Sequence, residues 1–183
     1  MKTIRLDFIV ALLLVLAIFY SCDVYYTTPQ PSWIKKNEKT IPAKFHGTYL
    51  SAPNGVLEAM AHNGKRDTIL ISEKRIYIDQ EMDFHLSDSV LLRKYHHDYY
   101  LNIFESERKA WIVILVKEMQ NKIYYYMIPS EESVPLDRLK TITKVSRLDS
   151  DGKEFIINPT RREFNKILKA NLFIPQDTLT RLE

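Results

Sequence analysis

From residue 44 onward the chain reads as short apolar runs broken by turn-forming residues. Residues 44–51 (KFHGTYLS) form a strand pattern, with Pro53-Asn54-Gly55 after it as a turn. Residues 67–72 and 75–79 are two further runs joined by Glu73-Lys74, a spacing that suits a tight hairpin. Residues 89–94 and 99–104 follow, separated by Tyr95-His96-His97-Asp98. Residues 110–116 (AWIVILV) and 122–128 (KIYYYMI) are rich in β-branched and aromatic side chains, the strongest strand signal in the chain. Both faces of the 110–116 run are apolar, which predicts a central strand covered on both sides.

The period changes in the last third. A short helix is expected at residues 135–140 with Ser133 near its start, then strands at 143–148 and 153–157 around the turn Asp149-Ser150-Asp151-Gly152. Asn158-Pro159-Thr160 supplies a helix start, with Asn or Thr as cap and proline in the first turn. Phe164, Ile167, Leu168 and Leu172 then fall on one helical stripe. The tail, residues 173–183, adds a last strand. Roughly eight short strands with two late helices predict a mainly β protein of α+β type. Its expected form is a curved antiparallel meander sheet or half-open, lipocalin-like barrel with a C-terminal helix packed on it. Four glycines are few for the tight corners of a closed barrel and favour the half-open form.

The N-terminal residues follow another pattern. Lys2 and Arg5 precede residues 8–20, which carry no charge, and such a run rises only about 20 Å as a helix against a hydrocarbon core of about 30 Å. A secretory leader, residues 1–21, is therefore expected rather than a permanent span. The run Phe19-Tyr20-Ser21-Cys22 resembles the bacterial lipobox at Ser21 and Cys22 and departs from it at Tyr20, where a smaller residue is usual. Cys22 is the single cysteine, so a disulfide within the chain is excluded, and a leader boundary lacks the pocket that a catalytic thiol needs. Lipidation of Cys22 is the favoured reading; an uncleaved anchor or an ordinary leader are its alternatives. Residues 22–42, with Pro29, Pro31 and Pro42, read as an extended tether. Its aromatics, Tyr25, Tyr26 and Trp33, either sit at the membrane interface or lie along the domain. Residues 43–183 form the single β-rich domain.

Charge excludes little but nucleic acid: the chain has 26 basic and 23 acidic residues, and removal of residues 1–21 takes Lys2, Arg5 and Asp7 from that balance. Thr28-Pro29-Gln30-Pro31, Phe45-His46-Gly47-Thr48-Tyr49 and Ile157-Asn158-Pro159-Thr160-Arg161-Arg162-Glu163-Phe164 together resemble small uncharacterised lipoproteins of Bacteroidota, especially flavobacteria. That resemblance implies lipidation and an envelope address, and carries no activity.

Candidate chemistry is sparse. His96-His97-Asp98 is the richest titratable cluster, with His85 upstream, but adjacent histidines on a regular strand point to opposite faces and a polar hairpin loop explains them without metal. No Gly-x-Ser-x-Gly elbow or phosphate-cradling glycine loop occurs, Glu105-Ser106-Glu107 reads as a charged turn, and Glu131-Glu132 reads as a helix lead-in. Arg161 and Arg162, in the first turn of the last helix, read as a solvated face or a contact for an acidic partner. In Tyr124-Tyr125-Tyr126 the middle ring faces one way and its neighbours the other; with Tyr99, Tyr100 and Trp111 these rings pack a core or rim, or else wall a pocket or partner surface. The first expectation is a non-catalytic, lipid-anchored envelope protein, in the outer membrane facing the periplasm, that binds another envelope protein. The second is a small-ligand binder lined by Tyr99, Trp111 and Tyr125; a hydrolase ranks third, and no cofactor is implied.

Overall fold

The computed structural model describes residues 24–52, 68–78, 82–129, 133–149 and 153–182. Cys22, the leader at 1–21, the Pro53-Asn54-Gly55 turn, Glu131-Glu132 and Ser150-Asp151-Gly152 lie outside the described residues. The protein is mainly β, with twelve described strands in one curved sheet and two α-helices. No described helix is long and apolar enough to cross a membrane.

Two meanders make up the sheet. The first holds β2 (Gly47–Leu50), β3 (Thr68–Ile71), β4 (Arg75–Ile78) and β5 (Met82–His85), each antiparallel to the next. The second holds β6 (Val90–Tyr95), β7 (Asp98–Glu105), β8 (Ala110–Met119) and β9 (Lys122–Met127). Their hairpins are tight: His96 at φ 55° helps close β6–β7, and Gln120 and Asn121 at φ 52° and 61° close β8–β9. The C-terminal strand β12 (Ile174–Arg181) stands between β9 and β2 and joins the two meanders. β5, whose Met82 and Phe84 alternate with exposed Asp83 and His85, was not among the expected strands although its period is that of a half-buried strand.

The chief departure from expectation lies at residues 24–42, which are part of the domain rather than a tether. β1 (Val24–Tyr26) is fully buried, parallel to β11 (Phe155–Ile157) and, at Tyr26, antiparallel to β8 at Trp111. β11 pairs in turn with β10 (Val145–Arg147), so the sheet is mixed where an antiparallel one was expected. The polar, proline-rich stretch that follows is held by side chains that replace a strand partner. Asn102 of β7 accepts from the Gln30 N–H at 2.6 Å and donates to the Gln30 carbonyl at 2.9 Å. Arg93 of β6 donates to the carbonyls of Pro29 and Pro31 at 2.6 and 3.0 Å and to Asn37 Oδ1 at 2.9 Å. Beyond Asn37 the chain becomes a strap between the two meanders: Glu38 N–H donates to the Leu92 carbonyl at 2.8 Å and Ile41 N–H to the Glu73 carbonyl at 2.6 Å. The two alternatives for the segment's aromatics resolve toward the domain, since Tyr25 and Tyr26 are buried and Trp33 stacks edge-on against Tyr95 and Phe164 at 5.1 and 5.5 Å.

The helices cover the convex face. α1 (Ser133–Ile142) contributes Leu136 and Leu139, and α2 (Arg161–Lys169) contributes Phe164 and Ile167. Thr160 caps α2 in a capping box with Glu163, so Pro159 stays outside the helix rather than in its first turn. These side chains pack on Val24, Tyr26, Tyr100, Val113 and Leu115 as one core. A second core occupies the concave face, with Tyr49, Ile69, Ile71, Leu92, Leu101, Ile123 and Leu179. The two cores share β7 and β8, whose successive side chains alternate between them.

Candidate functional site

The concave core does not fill its space. A cavity of about 350 Å³ lies inside the curve. β7 contributes Tyr99, Leu101, Ile103 and Glu105; β8 contributes Ile112, Ile114 and Val116; β9 contributes Ile123, Tyr125 and Met127. Ile69, Ile71, Ile76, Ile78, Met82 and Phe84 of β3 to β5 form the facing wall, and Leu179 of β12 the seam between them. The cause is the period of two: every second residue of these strands is aliphatic or aromatic and points to the same side.

Burial grades along the cavity and defines its ends. At the floor, Ile41, Phe45, Leu92 and Tyr99 are buried. There a 3₁₀ turn, Ala43–Phe45, sets Phe45 edge-on to Tyr99 at 5.2 Å, and Lys44 reaches Glu118 at 3.1 Å. At the other end Ile78, Met82, Glu105, Arg108, Ile112, Met127 and Gln176 are partly exposed. Among the described residues, the partly exposed end, the mouth, is thus the one at the β7–β8 turn, away from the strap.

Among the described residues, the polar side chains that line the mouth are few: Glu105, Arg108 and Gln176. The Arg108 guanidinium donates from Nε to both Glu154 oxygens at 2.8 and 2.9 Å, and lies 5.5 Å from the Tyr25 ring centroid. That bidentate bond to Glu154 holds the Arg108 proton more firmly than in a free arginine, against the opposing effect of burial. The pair ties the β7–β8 turn to the start of β11 and leaves Arg108 without a net charge to offer an anion. Glu105 adds a carboxylate beside it. The site thus suits an uncharged apolar molecule and disfavours a carboxylate or phosphate head.

The expected residues divide between the faces. Tyr99 and Tyr125 line the cavity. Trp111 does not: it shares with Val113 and Leu115 the face of β8 that meets the helix-covered core, and its ring packs beside Phe104 with centroids 5.1 Å apart. Tyr126 is on that side too, 5.6 Å beneath the Lys117 ammonium, and burial raises its hydroxyl pKa. Tyr124 shares that face, opposite Lys117 and Thr178 in register. His96 and His97 form the exposed β6–β7 turn, and His96 stacks on Tyr95 at 4.0 Å. No three His, Cys, Asp or Glu side chains converge as metal ligands among the described residues. Sequence reasoning did not anticipate the aliphatic lining, although alternation along β3 to β5 and β7 to β9 marks it, or the Arg108–Glu154 pair, whose 46-residue separation leaves no local signal.

No protein-family model matches this chain, and no match emerges from curated proteins or from solved structures.

Proposed function

We propose that the chain is a lipid-anchored envelope protein, attached through Cys22, whose half-barrel binds a slender, uncharged apolar molecule. The observation that carries the reading is the cavity of about 350 Å³. Protein interiors leave few voids larger than a water, whereas small-molecule sites run from about 300 to 1,000 Å³ and are mostly apolar with a few polar groups. Each methylene moved from water into such a lining gains about 0.8 kcal/mol. Of the two binding roles expected, an envelope-protein partner and a small ligand, the cavity supports the second. Its aromatic lining holds Tyr99 and Tyr125 together with Tyr25, Phe45 and Phe84, and not Trp111.

Titration with 1-N-phenylnaphthylamine tests the reading. Saturable, single-site enhancement of its fluorescence is expected, with affinity falling at least about tenfold in Ile114→Trp, whose indole occupies the cavity. Absence of saturable binding, or unchanged affinity in that variant, would refute the proposal.

A further inference from the structure

Tyr25 lies three residues from Cys22, and three residues of extended chain span at most about 11 Å. Its buried ring lines the cavity and lies 5.5 Å from the guanidinium of Arg108, one of the residues at the open end. From Val24 onward the chain has no slack, because Val24, Tyr25 and Tyr26 are each paired to β11. An anchor at Cys22 therefore acts on the mouth of the cavity, not through a 20-residue spacer. A second observation points the same way. Phe104, opposite Trp111 in register near the end of β7, is among the few exposed large apolar side chains, and Trp111 beside it is partly exposed. The indole of Trp111, with an apolar body and a polar N–H, has the amphipathic character of side chains that rest at a lipid–water boundary, and the apolar Phe104 ring is exposed beside it.

We infer that the cavity mouth is held against the membrane and that the ligand, an uncharged molecule with an apolar chain, enters from the bilayer rather than from water. This rests on the ligand-binding reading above. It accounts for a mouth whose described lining is mostly apolar and whose cation, Arg108, is paired with Glu154, since a free cation there would have to be dehydrated against lipid.

The test uses the full lipidated chain in vesicles and a variant with roughly 20 glycine and serine residues inserted between Asp23 and Val24, a flexible coil. A fluorescent monoacylglycerol is supplied either within the vesicles or from a cyclodextrin complex in water. Expected is a loading rate from vesicles at least about tenfold lower in the insertion variant, with loading from cyclodextrin unchanged. A second readout uses Trp33→Phe, which leaves Trp111 as the sole tryptophan: brominated lipid should quench its emission, and Phe104→Ser should weaken that quenching. Equal vesicle loading with and without the insertion, or an unquenched Trp111, overturns the inference while cavity binding stands. So does failure of Cys22 to incorporate labelled palmitate. Failure of the parent chain to load from cyclodextrin overturns the ligand reading itself.

Discussion

β7 and β8 carry apolar side chains on both faces, yet the two sides end differently. On the convex side Tyr100, Phe164 and Phe173 meet edge to face, with centroids 5.6 to 6.5 Å apart, and Leu115 and Val113 pack beneath them. On the concave side Ile112, Ile114 and Val116, from the same strand, look into open space. Composition does not separate the faces. What separates them is cover: two helices with apolar stripes press on one, whereas on the other the sheet curves round and its strands enclose a cavity beside their buried core. A packed core and a hollow one are thus made from neighbouring residues of one strand, and hollowness is a property of topology.

The comparison can be broken by substitution. Phe164→Ala, in the packed core, should lower stability by about 3–5 kcal/mol in urea denaturation, with probe affinity of the folded fraction little changed. A parallel loss of affinity would show that the faces are not independent. A sharper contrast comes from adjacent positions. Leu115→Trp should cost about 1–3 kcal/mol through overpacking, and Ile114→Trp less than about 1 kcal/mol because its bulk enters the cavity. Equal costs would contradict the distinction. The smallest effect concerns how the cover is started: Thr160→Ala should remove about 1 kcal/mol from α2. The Thr160 amide and hydroxyl hold the Glu163 carboxyl below its usual range. A depressed carboxylate pKa means the unfolded chain binds more protons, so this contribution is full above the usual glutamate value and is lost as pH falls through the depressed one. The gap between parent and variant should close on acidification, as followed by thermal unfolding at several pH values.

Most strands were legible because their period of two is local. β8 as a central strand, the opposite facing of Tyr125 and its neighbours, and the stripe of α2 all follow from the residues themselves. β1 was not legible. Three residues bounded by polar and proline-rich chain carry no strand signal, and what holds this segment is Phe155–Ile157, Asn102 and Arg93, all distant in sequence. Arg93 and Asn102 sit within strands as buried polar side chains, and their purpose appears only when the carbonyls they serve are in place. Burial without a carboxylate partner lowers the Arg93 pKa. The cavity was anticipated in kind through the half-barrel. Its wall was misassigned at Trp111 because strand phase, rather than residue type, decides which side a ring occupies.

The place of β12 bears on the order in which the molecule can assemble. β2 to β5 and β6 to β9 each form by pairing between sequence neighbours, which carries a small loop-closure cost. The bridge between them is β12, in which Thr180 pairs with both Lys122 and Leu50. Pairing Thr180 with Leu50 closes a loop of about 130 residues and so carries a larger loop-closure cost than the pairings within either meander. Loss of β12 would divide the sheet rather than shorten it, because β12 pairs with both β9 and β2.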